Sequence, residues 1–406
     1  MNCYTIRMKP EVSCLTIAFV LFSTNFFNYA GWDQTYAGWC SYFIYVFLIC
    51  YVYFHRDKIS AVFTSFKKEL WVLILLPLLG TVIRSLLSSG SFINERQYIL
   101  PLSVFLFYYI YNIYRIEEQD ICNIFTAIAL CAFGIQIVQL LYPQSAVFGI
   151  YDEGIRQSRH VMVEIRNGIY RFRLETYFFT LFCLYYYWNR LLAKLTLRNI
   201  ALFSVFLAST YLYLTRQIMI AVVITLMCSY LFIKNTKARV VSIMLIGILS
   251  LVLLQYSSEL FKELFNRTKT ELVSMNVRVI STGFYWEKIC ENPITFLFGN
   301  GHPTLLSKWA KKGLFPSDIG LIGEMFYYGI LWIILYLYTV YLILVKYGKR
   351  LPLYIKLFVF GTFTNSIMIF PYRNDAEYFV WTTILYLASL YLGRYRNTTC
   401  TDKTIK

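Results

Sequence analysis

The sequence predicts an all-α protein, a polytopic transmembrane helical bundle of about 12 spans that makes residues 1–406 a single integral membrane domain. Three observations lead to this fold class. Hydrophobic residues make up 58% of the chain and aromatic residues 19%. Charged residues make up only 15%, whereas a soluble protein of ordinary composition has about a quarter. Apolar runs of roughly 17 to 25 residues, the length that crosses a bilayer as a helix, recur between short basic or polar segments.

The apolar runs give the positions of the spans. In chain order the predicted spans are 12–30, 36–54, 70–88, 98–114, 121–142, 174–189, 199–214, 217–233, 239–256, 319–343, 352–370 and 378–393. Because their number is even, both termini are expected on the same side of the membrane.

The short loops give the orientation. "HRDKISAVFTSFKK", "KNTKAR" and "KYGKR" fall on the same face as the N terminus, whereas "GWDQTY" and "SSGSFINER" on the opposite face contain one Arg between them. The positive-inside rule makes the first face, with both termini, cytoplasmic. The same scatter of Lys and Arg explains the formal net charge of +16 without a nucleic-acid partner, because the basic residues form no single patch.

Two long segments are predicted to be extracytoplasmic loops: 143–173, and 257–318 between the ninth and tenth spans. Long loops cross the membrane with little regard to their charge, and loops of this length usually carry function. Within the second loop, "YWEKIC" and "LLSKWAKKGLF" are each expected to form a short amphipathic helix on the membrane surface.

Arginines on the predicted outer face are candidates for binding a pyrophosphate. A guanidinium binds phosphate oxygens through two parallel hydrogen bonds, and a pyrophosphate has enough oxygens to engage several of them. The alternative is that these side chains only reach the lipid headgroups, which is the interpretation given to Arg84 near the outer end of the third span. Arg171 is also expected to pair with Glu175 at helical i,i+4 spacing. The candidate arginines are Arg166, Arg171, Arg173, Arg216 and Arg278.

A glycine-rich turn and a histidine lie between the two amphipathic stretches of the large loop. Gly299 and Gly301 flank Asn300 in "FGNGHP", and His302 comes next. The turn alone is a weak signal, since no Gly-Lys-Ser/Thr follows to make a phosphate-binding loop. A histidine on the outer face among arginines is a candidate general base, although a lone loop histidine is often incidental.

Two carboxylates at the start of the tenth span are further catalytic candidates. Asp318 can act as the base, or it or Ser317 can simply cap the helix. Glu324 lies six residues farther along, about 9 Å deeper at 1.5 Å per residue. A carboxylate at that depth is costly unless it is paired or functional. No metal or cofactor is predicted, because the chain lacks D-x-D, H-E-x-x-H, G-x-S-x-G and Walker sequences.

The order of these elements resembles the O-antigen polymerase and ligase superfamily of bacterial envelope proteins. The resemblance covers roughly residues 160–345 and rests on four stretches in sequence: "RNGIYRFR", "TRQ", "NVRVISTGFYWEKICENPITFLFGNGHP" and "SDIGLIGEMFYYGILW". It implies an inverting, metal-independent glycosyl transfer at the outer face of the bacterial inner membrane. The donor would be a glycan on undecaprenyl pyrophosphate, held by the arginines, while a loop residue deprotonates the acceptor hydroxyl.

Polymerisation of lipid-linked repeat units is the favoured activity within that superfamily. Ligases typically have His followed by Asn or Ser where this chain has "PSDIGLIG", so a polymerase fits better, with the base open between His302 and Asp318. A glycan ligase, or a transporter or flippase of lipid-linked oligosaccharide, is the alternative. The expected partners are the lipid-linked glycan and membrane lipids, with a chain-length regulator and a flippase as further candidates.

Overall fold

The computed structural model describes residues 10–24, 34–61, 65–87, 99–142, 163–166, 169–172, 176–213, 216–255, 269–301, 308–309, 312–316, 319–367 and 375–401. These residues are almost entirely helical, as the fold class predicts. The helices are α1 (Pro10–Ser23), α2 (Gln34–Phe54), α3 (Arg56–Ala61), α4 (Lys67–Leu87), a 3₁₀ helix (Leu100–Leu106), α5 (Phe107–Tyr114), α6 (Glu118–Leu141), α7 (Tyr177–Ala193), α8 (Leu197–Leu212), α9 (Arg216–Phe232), α10 (Thr236–Gln255), α11 (Lys269–Cys290), α12 (Pro293–Phe298), α13 (Gly320–Tyr328), α14 (Ile330–Tyr341), a π-helical turn (Leu342–Lys346), α15 (Leu353–Asn365) and α16 (Asp375–Thr401).

Each of the predicted spans overlaps a helix of the structure, but the tenth is not continuous. The predicted run 319–343 is broken at Gly329, whose φ of 82° and ψ of 173° end α13 and open α14. The prediction of one uninterrupted helix there is wrong. An isolated glycine in an apolar helical pattern is common, so the pattern alone does not reveal a break.

A short β-hairpin precedes α7 and is the one strand pair in the described residues. Strand β1 (Val163–Arg166) pairs antiparallel with β2 (Ile169–Phe172), and Glu164 lies opposite Arg171. Because Arg171 is in a strand and α7 begins only at Tyr177, the expected helical i,i+4 pair of Arg171 with Glu175 is wrong.

The large loop contains more regular structure than its sequence suggested. "YWEKIC" is the last part of the 22-residue helix α11 and not a separate short helix, so that prediction is wrong. Residues 305–307, 310 and 311 of "LLSKWAKKGLF" lie outside the described residues, and of the rest only Lys308 and Trp309 are helical. Helix α11 packs against α12 and α13, which attaches the loop to the bundle.

Two helices form the centre of the bundle. Helix α7 packs against α6, α8 and α15, and it is buried on nearly all sides from Phe178 to Trp188. Helix α16 is buried continuously over residues 376–389. Apolar residues all round a helix are expected when neighbours cover every face.

The outermost faces of several helices are apolar as well. Leu75, Leu79 and Leu86 along α4 are each more than half exposed, and Ile220, Ile224, Met227 and Leu231 form a similar stripe along α9. Two helical stretches of the described residues, Lys67–Leu86 and Glu118–Val138, are long and apolar enough to cross a membrane.

Candidate functional site

The glycine-rich turn packs against the break between α13 and α14. The backbone N–H of Asn300 donates to Phe326 O at 2.6 Å, and that of Gly301 donates to Tyr327 O at 3.1 Å. These carbonyls belong to the last turn of α13, where no intrahelical partner is left. The turn therefore serves as a backbone cap for α13.

Glycine is required on both sides of this junction. A Cβ on Gly299 would lie 2.3 Å from Tyr327 O, and a Cβ on Gly329 would lie 2.2 Å from Leu297 O. Both residues have φ near +75° to +82° with ψ near 174°, a region of backbone conformation that is essentially restricted to glycine. Gly299 is thus explained by packing, and Gly301 has a positive φ of 62° where its N–H bonds to Tyr327 O.

Arg84 holds the other side of the same turn. Its Nη1 donates to Phe298 O at 2.7 Å and to Gly299 O at 3.3 Å, and its Nη2 donates to Thr81 Oγ1 at 3.0 Å. A cation on the carbonyl end of helix α12 is favoured by the helix dipole. The interpretation of Arg84 as a side chain that reaches for lipid headgroups is therefore wrong.

Glu324 lies on α13 beside a tyrosine pair. It is 7% exposed and close enough to Tyr378 on α16 to interact with it electrostatically. The Tyr378 hydroxyl lies 3.3 Å from the Tyr328 hydroxyl. The Tyr45 hydroxyl donates to Asp375, which begins α16 and also interacts electrostatically with Tyr378. Two carboxylates, Glu324 and Asp375, thus approach one tyrosine. We call Glu324, Tyr328, Asp375, Tyr378 and Tyr45 the carboxylate–tyrosine cluster.

Helix α16 also reaches the end of α7 that follows the arginine-bearing hairpin. Glu377 is 1% exposed and accepts a hydrogen bond from the Tyr177 hydroxyl. Next to this contact, Thr176 Oγ1 lies 2.7 Å from the Tyr213 hydroxyl at the end of α8. This second group of contacts, formed by Thr176, Tyr177, Tyr213 and Glu377, is called the α7–α8 junction.

The α7–α8 junction brings together two of the segments that carry the candidate arginines. Arg173 is three residues before Thr176, and Arg216, the first residue of α9, is three residues after Tyr213. Arg166 and Arg171 lie on β1 and β2 just upstream, while Arg173 itself is outside the described residues. In chain order, Arg166 and Arg171 thus precede the junction and Arg216 follows it, and their convergence on one anion stays a prediction.

Arg278 is on helix α11, away from the α7–α8 junction in the sequence. It lies in the middle of α11, and its Nε is enclosed without a hydrogen-bond partner among the described residues. On the same helix, Tyr285 packs its ring 4.7 Å from that of Phe326 on α13. The helix that carries Arg278 is thus packed against α13, and the approach of Arg278 to the other arginines stays a prediction.

His302 and Asp318 lie outside the described residues, but their neighbours are anchored at opposite ends of α13. Gly301 is bonded to Tyr327 at the C-terminal end, and Leu321 N donates to Ser366 O at the N-terminal end. Helix α13 has nine residues and is therefore about 13 Å long, so these two anchoring contacts are separated by most of that length. Ile319 is at the N-cap position of α13, without a side-chain cap, so neither Ser317 nor Asp318 occupies that position.

Asp375, Glu377 and Tyr378 were not singled out from the sequence. The available signal was "NDAEYF", in which two acids precede a long apolar run. Acids near the first turn of a helix are also the ordinary complement of its dipole, which is why the pattern does not stand out.

The chain has no match among protein-family models, curated proteins or solved structures. What the described residues can do chemically is therefore read from their own geometry. Buried carboxylates beside tyrosine hydroxyls can accept and relay a proton, and guanidiniums at the adjacent helix ends can bind an anion.

Proposed function

We propose that this protein is a multi-pass membrane glycosyltransferase that polymerises lipid-linked polysaccharide repeat units at the outer face of the bacterial inner membrane. The proposed reaction takes a growing glycan from undecaprenyl pyrophosphate and joins it to the hydroxyl of another lipid-linked unit. It is inverting and needs no metal, and the resemblance to the O-antigen polymerase and ligase superfamily supports it.

The apolar outer faces support the membrane placement. Soluble proteins rarely expose long contiguous apolar faces, whereas α4 and α9 expose leucine, isoleucine and methionine along their lengths. Bilayer lipid is the solvent that suits such faces. We infer about 12 spans, cytoplasmic termini, and extracytoplasmic positions for 143–173 and 257–318, from the loop charges and the helix positions.

One observation carries the proposal: consecutive residues of α16 join the two parts of the site. Glu377 belongs to the α7–α8 junction, which lies between the segments of Arg173 and Arg216 in the sequence, and Tyr378 contacts Tyr328 and Glu324 in the carboxylate–tyrosine cluster. If the arginines bind the leaving anion and a carboxylate of the cluster accepts the proton, these two roles lie side by side, as an inverting transfer requires, and this supports the proposal.

In the proposed mechanism, the base removes the proton of the acceptor hydroxyl as its oxygen attacks the anomeric carbon of the donor. The bond from that carbon to the pyrophosphate oxygen breaks, and the pyrophosphate leaves with the electron pair. Arg166, Arg171, Arg173, Arg216 and Arg278 neutralise the charge that develops on it. His302, Asp318 and Glu324 are the candidate bases. Of these, Glu324 is buried beside Tyr378.

Arginine-to-lysine variants test the anion-binding role. Lysine keeps the charge but loses the two-pronged geometry, so Arg216→Lys and Arg278→Lys should each lower kcat/KM about 10- to 150-fold, the loss of one charge-assisted hydrogen bond. Arg56→Lys, on the exposed predicted cytoplasmic side, is the matched control and should be unaffected. The assay is polymer length on gels from proteoliposomes supplied with an undecaprenyl-pyrophosphate-linked repeat unit. Full-length polymer from every lysine variant would refute the pyrophosphate-binding role.

The break at Gly329 favours one alternative, a transporter or flippase of lipid-linked oligosaccharide. Discontinuous spans often form the substrate sites of transporters. The same proteoliposomes separate the activities, since a flippase moves the donor without a new glycosidic bond. A ligase transfers the glycan to a different acceptor and does not lengthen it on the lipid.

A further inference from the structure

A cavity of about 490 Å³ lies at the opposite end of α7 and α9 from the candidate site. Its walls are the C-terminal ends of α7 and α9, the first turns of α10, and the beginning of α15. This volume is within the range of about 300–1,000 Å³ that is usual for small-molecule sites. The segments that form it are all predicted to face the cytoplasm.

The lining of the cavity is positively charged. Lys234, Lys237 and Lys356 contribute to it, and none of its lining residues is Asp or Glu. Among the described residues, no carboxylate forms an ion pair with any of the three lysines. Their positive charges therefore add up in one place.

Lys356 is the deepest of the three and is only 5% exposed. Its Nζ donates to Phe232 O, the last carbonyl of α9, at 2.8 Å. An ammonium group has three protons, and this bond uses one of them. A buried cation without a counter-ion is costly, and the dipole at the end of α9 offsets that cost only in part.

The start of α10 adds to the same field. Asn235 Oδ1 accepts from Lys237 N at 2.9 Å and so opens a 20-residue helix whose first turn lines the cavity. Helix N-termini attract anions through their free N–H groups and their dipole. Leu192, Val241 and Leu353 cover other parts of the wall, so the cavity offers apolar surface beside the cations.

We propose that this cavity is a binding site for a phosphate-bearing anion on the cytoplasmic side of the protein. The shared chemistry is a phosphate group held between the three lysines and the first turn of α10. Two sources can supply it: the headgroup of an anionic phospholipid in the inner leaflet, or a soluble phosphate. The inference uses the membrane placement proposed above and does not depend on the transferase activity.

The test measures binding, so an inactive transferase does not affect it. The purified full-length protein in a neutral detergent, washed free of native lipid, is titrated separately with dioleoylphosphatidylglycerol, dioleoylphosphatidylcholine and inorganic phosphate. The midpoint of thermal unfolding reports binding, since a ligand of the folded state raises it. The double variant Lys234→Gln/Lys237→Gln removes two exposed lysines without touching the buried one, and Lys58→Gln is the matched control on the same predicted face.

The expected result is stabilisation by phosphatidylglycerol but not by phosphatidylcholine, with affinity reduced about 25-fold in the double variant, about fivefold for each lysine. Stabilisation by inorganic phosphate with the same loss in the double variant would support the site and identify a soluble ligand. The proposal is overturned if neither phosphatidylglycerol nor inorganic phosphate stabilises the protein. It is equally overturned if the double variant binds as tightly as Lys58→Gln.

Discussion

Replacing Gly329 by alanine should destabilise the protein severely, because the residue lies where two backbones touch. The new Cβ would be 2.2 Å from Leu297 O and 2.5 Å from Phe298 N. Both neighbours are main-chain atoms and cannot rotate away as the end of a side chain could. The segment 297–301 and the end of α13 must therefore move apart.

The size of the effect can be worked out from two contributions. A non-glycine residue at the φ of 82° and ψ of 173° found here costs about 1–3 kcal/mol of conformational strain. Separating the segments also breaks the hydrogen bonds from Asn300 and Gly301 to the end of α13, each worth about 1 kcal/mol. The sum is about 3–5 kcal/mol, a large fraction of the 5–15 kcal/mol by which proteins are usually stable.

Thermal unfolding in detergent, followed by tryptophan fluorescence, measures this loss. Gly283→Ala is the matched control, because it lies inside α11 in the same region and its Cβ position has no atom within 4 Å. In a helix interior that change is expected to stabilise by up to about 1 kcal/mol. If Gly329→Ala unfolds at the same temperature as the wild-type protein, the reasoning about the junction is refuted.

Three further results are expected. Arg84→Ala should destabilise by about 1.5–3 kcal/mol, since two carbonyls lose a charged donor, and unchanged thermal unfolding would contradict this. If His302 or Asp318 is the base, His302→Ala or Asp318→Asn should lower turnover about 10²- to 10⁴-fold with donor binding retained; normal polymerisation by both variants would leave Glu324 as the candidate. Ser158→Cys and Ser307→Cys should react with an impermeant thiol reagent in intact cells, and labelling only after permeabilisation would refute the outer position of both long loops.

The helices were the part of the fold that the sequence made predictable. A run of apolar residues of bilayer length has few structural options, so each predicted span overlaps a helix. Shorter-range features were missed. The four-residue strands around residues 163–172 carry too little pattern to distinguish them from loop, and α11 is too polar over its first half to resemble a span.

The sequence made a site residue predictable only where a charged side chain interrupts an apolar helical run. Glu324 stood out because a carboxylate six residues into an apolar helix needs a partner, and the structure buries it beside Tyr378. The role of Arg84 could not be read in the same way. Its partners are main-chain carbonyls more than 200 residues away, and no local pattern encodes such a contact.

Through the consecutive residues Glu377 and Tyr378, helix α16 contacts both the α7–α8 junction and the carboxylate–tyrosine cluster. Both contacts are at the N-terminal end of α16, so a ligand that shifts this end of the helix through one contact also displaces the other. Occupancy of one part is then coupled to occupancy of the other, and thermodynamic linkage makes that coupling equal in both directions. In the proposed transferase, a donor that binds at the α7–α8 junction would alter the affinity for an acceptor at the carboxylate–tyrosine cluster, and the acceptor would alter the affinity for the donor by the same factor.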